Sequence, residues 1–305
     1  MNDKIRVPLI PECSECIVDS LKVLIPLLTD DSSERYEYFS LAYAKLAKGF
    51  RERKEPLELS IELYRELYTQ ARTEDPYSEI KKRSIAAAEK VLPIIECSIS
   101  EMKNYQKLRG VLAAGITGNV IDFNTAGHNP DLDALSQVFD QVLEQGFAID
   151  HSKYLWKTLK SKMGRIVVLA DNVGETLLDV PLLRFTRELG WNNTYVVKGK
   201  AMINDAVRDD VEGTEVEKHA NIVDSGAWGH GVPKKWVSNK FMELIRNSDL
   251  VISKGQANIE SFPEIQEETR IETYYVTKGK CAHISSSIGA KVGDNIVLRK
   301  PDPEE

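Results

Sequence analysis

Four of the five short β-branched runs in the C-terminal half end in side chains able to bind ions or phosphate. Residues 165–170 lead into Asp171-Asn172-Val173-Gly174-Glu175, and residues 193–197 into Lys198-Gly199-Lys200 with Asn204-Asp205 close behind. Residues 221–223 lead into Asp224-Ser225-Gly226, and residues 249–253 into Lys254-Gly255-Gln256-Ala257-Asn258. Carboxylate and amide oxygens are hard ligands suited to Mg²⁺ or Mn²⁺, and a lysine at a neighbouring tip can neutralise phosphate. Any one of these groups is at home in a turn or helix N-cap. Four coincident tips instead point to a phosphoryl site. Upstream, Gly118-Asn119-Val120-Ile121-Asp122-Phe123 follows a stretch of small residues at 111–116 and, taken alone, reads as a helix end with Gly118 as its cap.

The elements that position these tips are legible from periodicity. Up to about residue 115 apolar residues recur at helical spacing, as in Ile17, Leu21, Leu24, Ile25 and Leu28, or Leu57, Ile61, Leu67 and Tyr68. Asp30-Asp31-Ser32-Ser33 precedes one helix and Glu55-Pro56 opens another; residues 131–143 and 152–159 predict two more. From residue 165 the runs 165–170, 193–197, 221–223, 249–253 and 273–277 alternate with helical stretches. Near-continuous apolar strands separated by helices predict a largely parallel sheet covered on both faces, with ligands gathered beyond the carboxyl ends of the strands. The fold class is therefore α/β, with a helical subdomain over residues 1–105 packed on an α/β/α domain over 106–305.

Composition bounds the function. The 305 residues carry 40 basic and 47 acidic side chains, a formal charge of −7, and are 42% hydrophobic, which suits a globular chain and disfavours general nucleic-acid binding. No apolar run reaches membrane-spanning length and the first residues, Met1-Asn2-Asp3-Lys4, lead into no signal-like segment, so no membrane partner and a cytoplasmic location are expected.

The order and spacing of Gly118–Phe123, Ala170–Glu175, Asn204-Asp205-Ala206 and Ser253–Glu260 resemble the damage-control phosphatases, long grouped as domain-of-unknown-function family eighty-nine. The resemblance covers most of the chain, and Cys13-Ser14-Glu15-Cys16 resembles its cysteine-bearing archaeal and bacterial branch. It implies a helical N-terminal subdomain on a Rossmann-like domain, and a metal-dependent phosphatase acting on sugar phosphates or damaged phosphometabolites. It further implies that Asp171, Asn172 and Asp205 hold a divalent metal (Mg, Mn, Co or Ni) and that Lys254 faces the phosphate.

Phosphomonoester hydrolysis needs neutralised oxygens, an in-line nucleophile and a leaving oxygen that can take a proton. A metal on Asp171, Asn172 and Asp205 acts as Lewis acid and activates water. Asn119 and Asn258 are candidate donors to phosphate or sugar oxygens, and Asp122 or Glu175 a candidate to orient the water. An aspartyl-phosphate route through Asp171 is the alternative, but the chain lacks the Asp-x-Asp strand end of haloacid-dehalogenase enzymes, so metal-activated water is favoured. The competing function classes are a methyl-donor-dependent carboxyl methyltransferase, disfavoured because the first strand turn has a single glycine, and a non-enzymatic thiol-metal binding protein.

Cys13 and Cys16 fall at a predicted helix start, where thiolates are favoured. A separate zinc or iron site there needs further ligands, with Cys97 the best candidate because it lies in the same helical half; Cys281 reads as a packed small residue. His128 and His230 sit in glycine-rich loops, where a solvated role is the more frequent one, while Trp191 reads as packing and Trp228 as a candidate sugar-pocket residue.

Overall fold

The computed structural model describes residues 5–118 and 132–301. Seven helices open the described chain: α1 (Cys13–Leu28), α2 (Ser32–Glu52), α3 (Pro56–Gln70), α4 (Ser78–Ser100), α5 (Asn104–Gly118), α6 (Leu132–Gln145) and, after the short strand β1 (Ile149–Asp150), α7 (Ser152–Ser161). The boundary signals act as expected. Asp31 caps α2 by accepting from the Glu34 amide, and Pro56 takes the first turn of α3, where its missing N–H costs nothing.

The strands that follow are β2 (Arg165–Leu169), β3 (Asn192–Val197), β4 (Asn221–Asp224), β5 (Leu250–Lys254), β6 (Thr273–Lys278) and β7 (Asn295–Lys300). Between them lie α8 (Val173–Thr176), α9 (Val180–Glu188), α10 (Arg208–Val211), α11 (Glu215–His219), α12 (Asn239–Arg246), α13 (Gln256–Ser261), α14 (Pro263–Thr269) and α15 (Ala282–Ser287). The sheet order is β1-β7-β6-β5-β2-β3-β4. All pairs are parallel except β6 with β7. The five runs read from sequence are β2 to β6. The flanking β1 and β7 were not foreseen, because two residues in one case and a three-residue apolar run in the other give too little pattern.

Strand alternation divides the core between two faces. Ile166, Val168, Tyr195, Ile252, Tyr274 and Val276 face one cluster shared with α4, α5, α7 and α9, whereas Val167, Leu169, Val196, Val251 and Tyr275 face another covered by α12 to α15. The result is an α/β/α sandwich. A third cluster joins α1, α2 and α3 and takes in Met202 and Ile203 from the loop after β3. Residue 105 lies at the start of α5, and α4 and α5 share the first cluster. Among the described residues no helix is long and apolar enough to cross a membrane.

Sequential strands step outward from β2 to β3 to β4, and the chain then returns to place β5 on the other side of β2. The carboxyl ends of β2 and β5 thus flank the point where strand order reverses, the crevice where open α/β sheets bind ligands.

Glu260 on α13, which packs against α3, has its carboxyl pushed up to about 8 by burial and by the charge of Glu55. The folded state therefore holds a proton that the unfolded chain, with its ordinary value of 4.5, releases. Stability contributed at this site is highest at low pH, falls as pH rises between those two values, and stays low above the upper one. We expect Glu260→Gln to raise the melting temperature relative to wild type by an amount that grows from about pH 5 to about pH 8.5. Parallel melting curves, with a constant offset between the two proteins, would show that Glu260 does not titrate in this way.

Candidate active site

β2 delivers Asp171 and Asn172 to the crevice, and the backbone brings Asp205 to them. Asn172 and Asp205 form an isolated antiparallel bridge. The Ala206 amide donates to the Asp171 carbonyl at 2.9 Å, and the Val173 amide to the Asn204 carbonyl at 2.9 Å. The Asn204-Asp205-Ala206 segment is therefore laid along the first strand turn, which explains why two sequence-distant motifs act at one place. From the other side, Gly255 closes the approach of β5. Its φ is +78°, and a Cβ there would fall 1.9 Å from Asp171 Oδ2, so the Lys-Gly-Gln spacing is a steric requirement of the site.

The side chains form one buried polar cluster. Asp171, Asn172, Glu175, Asp205, Lys254 and Asn258 are all buried, together with Asp179, Lys198 and His230. Asn172 Nδ2 donates to Glu175 Oε1 at 2.9 Å and to Asp171 Oδ2 at 3.3 Å. Lys198 Nζ donates to the Ala170 carbonyl at 2.6 Å and lies 3.5 Å from Asp205 Oδ2. His230 Nδ1 is 3.9 Å from Asp205 Oδ1, and its other nitrogen is 3.3 Å from Ser60 Oγ on α3.

Two expectations change in detail. Lys254, expected to face phosphate, directs its ammonium into the protein, donating to Asp179 Oδ1 at 2.7 Å, the Gly115 carbonyl at 3.0 Å and Glu175 Oε2 at 3.3 Å. An ammonium has three donors, and all three are engaged. Asn258, expected to donate to substrate, instead ties two strand tips by donating to the Lys254 carbonyl at 2.6 Å and the Ala170 carbonyl at 3.2 Å. Asn119, Asp122 and His128 lie outside the described residues. Asp179 and Tyr195 were not singled out from sequence; Lys198 was read only as part of the second strand tip, and His230, expected as a solvated loop histidine, is instead buried beside Asp205. Asp179 did leave a signal, an isolated acid inside the apolar stretch Leu177-Leu178-Asp179-Val180-Pro181-Leu182.

Electrostatics follow from this crowding. Burial raises the Asp171 carboxyl well above the usual range, and the charges of Glu175 and Asp205 push it further. Burial acts in the same direction on Asp205, but Lys198 and His230 outweigh it and hold that carboxyl below its ordinary value. Asp205 Oδ2 is buried and accepts no hydrogen bond. Such an atom is costly unless a cation or donor completes it. The donors available, two carboxylates and one amide oxygen, suit an oxygen-preferring divalent cation. Among the described residues no three His, Cys, Asp or Glu side chains converge on one metal position, so most of an ion's coordination sphere there would fall to water and substrate.

Beside Lys198 opens a groove of ≈ 800 Å³ over the ends of β3 and β4, lined in part by Tyr68, Arg72, Lys200, Arg208 and Trp228. Trp228 is braced there by Arg65 and Lys200, each stacked on its ring. Trp191, by contrast, is core, its indole N–H donating to the Leu159 carbonyl.

The thiols stand apart from this cluster, and all four are free. Burial raises the pKa of Cys13 and Cys16, and Cys281 and Glu260 act electrostatically on both. Cys281 is thus their neighbour in the fold, whereas Cys97 is exposed on α4. Proximity in the folded chain, which sequence halves do not report, separates the two.

Residues 9–296 match the model of the damage-control phosphatase ARMT1-like domain. A damage-control phosphatase of Pyrococcus horikoshii is 32% identical over 291 residues, covering 94% of this chain and 96% of the relative. An uncharacterized protein of Methanocaldococcus jannaschii is 28% identical over 95% of both chains, and a damage-control phosphatase of Archaeoglobus fulgidus is 25% identical over 94% of this chain and 97% of its own. The crystal structure of a DUF89 family protein from Pyrococcus horikoshii superposes with a TM-score of 0.84 at 28% identity, covering 96% of this chain and 99% of that one. With the family match running over nearly the whole chain, the protein belongs to the damage-control phosphatase ARMT1-like family.

Proposed function

We propose that the protein is a metal-dependent phosphatase that hydrolyses small phosphomonoesters, sugar phosphates or damaged phosphometabolites, with water as the nucleophile. The observation that carries this reading is the buried charge at the strand tips. Asp171, Glu175, Asp179 and Asp205 outnumber Lys198 and Lys254 by two, and Asp205 Oδ2 is left without a hydrogen bond. A divalent cation would supply the missing positive charge. The names of the archaeal relatives support phosphatase chemistry, and four free cysteines suit a cytoplasmic location.

In this reading Asp171, Asn172 and Asp205 hold the cation. Magnesium, manganese, cobalt and nickel all suit such a set. The bound cation contributes Lewis acidity toward phosphate oxygens and lowers the pKa of water. The chain's own groups do the rest. Lys198 and His230 keep Asp205 ionised, Glu175 holds the Asn172 amide, and the burial of the cluster strengthens each electrostatic contact. The groove beside Lys198 receives the organic part of the substrate, with Trp228 offering a flat apolar face and Lys200 and Arg208 offering charge. Methyl transfer fits less well, because the turn after β2 is filled by Asn172 and Glu175 where a methyl-donor loop needs close backbone approach.

Release of phosphate from p-nitrophenyl phosphate is expected to vanish on chelation and to return with Mn²⁺, Co²⁺, Ni²⁺ or Mg²⁺. Undiminished release after exhaustive chelation would refute the metal assignment. Asp205→Asn keeps the shape of the ligand and removes its charge. We expect turnover to fall at least ~10²-fold, with a melting temperature somewhat below wild type at neutral pH because the charge that Lys198 and His230 favour is lost. Wild-type kinetics in this variant would exclude Asp205 as a ligand. Cys13→Ser combined with Cys16→Ser should leave phosphate release within about twofold of wild type, since preorganised oxygens rather than thiols carry the chemistry. A zinc or iron content that copurifies with wild type and disappears in the double variant, measured by elemental analysis, would establish a separate thiol-metal role; metal-free wild type would remove it.

A further inference from the structure

The buried cluster continues well past the three proposed metal ligands. Tyr195 OH, on β3, donates to Asp179 Oδ2 at 2.8 Å. Asp179 Oδ1 accepts from Lys254 Nζ at 2.7 Å, Lys254 donates onward to Glu175 Oε2 at 3.3 Å, and Glu175 Oε1 accepts from Asn172 Nδ2 at 2.9 Å. The ladder ends where Asn172 Nδ2 also donates to Asp171 Oδ2 at 3.3 Å. Tyr195, Asp179, Lys254 and Glu175 are each at most 1% exposed, so water does not compete for any rung. All four are more deeply buried than Asp171 and Asn172, which are 7% and 8% exposed.

The arrangement decides which end of the Asn172 amide faces outward. Both Nδ2 protons are spent on carboxylates, Glu175 on one side and Asp171 on the other. Turning the amide over would set its oxygen against the Glu175 carboxylate that now accepts from Nδ2, a repulsive placement. Oδ1 is therefore the atom left to face a cation. Glu175 can enforce this only if its carboxylate is fixed in place, which is the work of Lys254, donating to Oε2 at 3.3 Å. Lys254 in turn is held by Asp179 and by the Gly115 carbonyl on α5. A Cβ at Gly115 would lie 2.9 Å from Asp179 Oδ1 and 3.2 Å from Lys254 Nζ, so the small residue lets the helix backbone approach the ladder.

We infer that Tyr195, Asp179 and Lys254 are positioning residues that act through Glu175 to present Asn172 Oδ1 as a metal ligand, and that Lys254 does not contact the phosphate. This rests on the metal-dependent reading above. It separates from that reading experimentally, because the ladder acts on cation affinity in the protein without substrate.

The test titrates Mn²⁺ calorimetrically into metal-free wild type, Tyr195→Phe, Asp179→Asn and Tyr274→Phe. The last is a control, since Tyr274 is equally buried and its hydroxyl donates to Glu272 at 2.9 Å, outside the ladder. Outer-sphere partners of a metal site typically change affinity roughly 10-fold to 100-fold. We expect Tyr195→Phe to weaken Mn²⁺ about 10-fold, Asp179→Asn more, and Tyr274→Phe not at all, with kcat falling and KM for phosphomonoester nearly unchanged at saturating metal. If Asp179→Asn does not fold, Tyr195→Phe, which removes one oxygen and keeps the ring packing, decides alone. Wild-type Mn²⁺ affinity in Tyr195→Phe would overturn the inference, as would a change confined to KM. A wild type that binds none of Mn²⁺, Mg²⁺, Co²⁺ or Ni²⁺ would overturn the metal reading first, and the ladder with it.

Discussion

Everything at the crevice follows from placing four carboxylates in a space from which water is excluded. An isolated buried carboxylate pays several kcal/mol in lost hydration. The fold meets that cost in three ways: Lys254 neutralises Glu175 and Asp179, Lys198 approaches Asp205, and the Tyr195 hydroxyl and Asn172 amide donate to Asp179, Glu175 and Asp171. Two charges are left over. Asp171 responds by shifting toward its protonated form, while Asp205, beside Lys198 and His230, stays ionised. Two neighbouring carboxylates thus respond in opposite directions to the same burial, because neighbouring positive charge outweighs it only at Asp205.

That charge density sets demands on the backbone around it. Gly255, Gly115 and Gly118 each lie where a Cβ would press on Asp171, Asp179 or Glu175 respectively. The small-residue face of α5 and the glycine after β5 therefore have one common cause, close approach to the same carboxylates. The topological reversal between β2 and β5 supplies the crevice, and the bridge between Asn172 and Asp205 supplies its third wall. No single strand tip is sufficient, because Asp171 and Asn172 follow β2, Lys198 and Asp205 follow β3, and Lys254 ends β5.

How much of this was legible in the sequence depends on the range over which each signal acts. The strand runs and helix caps are local, and β2 to β6, the Asp31 cap and the Pro56 start could be read directly. The grouping of Asp171, Asn172, Asp205 and Lys254 was legible because parallel strands put their carboxyl ends at one edge. What those side chains touch was not. Lys254 reads as a phosphate ligand from its place in the chain, and only the fold shows that Asp179, a residue within an apolar run, reaches it first. Tyr195 reads as an ordinary strand aromatic because its hydroxyl partner lies 16 positions away. Cys97 and Cys281 exchange places as neighbours of Cys13 for the same reason: sequence half is a poor guide once a C-terminal helix, α15, meets the start of the chain. His283 at that helix takes the Pro8 carbonyl at 2.7 Å, and Ile5 and Val7 join the apolar cluster on its face of the sheet.

The helical half has a physical tie to the chemistry. Tyr68 on α3 accepts a hydrogen bond from the Ile203 amide, Met202 and Ile203 insert into the α1–α3 cluster, and Ser60 reaches His230 beside Asp205. Arg65 of the same helix donates to the Trp228 carbonyl at 2.6 Å and stacks on Trp236. Both loops that would otherwise swing freely beyond β3 and β4 are thus pinned to one rigid helix. The loop that carries Asp205 brings a second carboxylate beside Asp171, tied there by the Asn172–Asp205 bridge and by packing against α1 to α3. Packing Met202 and Ile203 into a separate apolar cluster places the loop's anchor away from the polar residues it presents. In this architecture α3 is the abutment against which the acidic crevice is built.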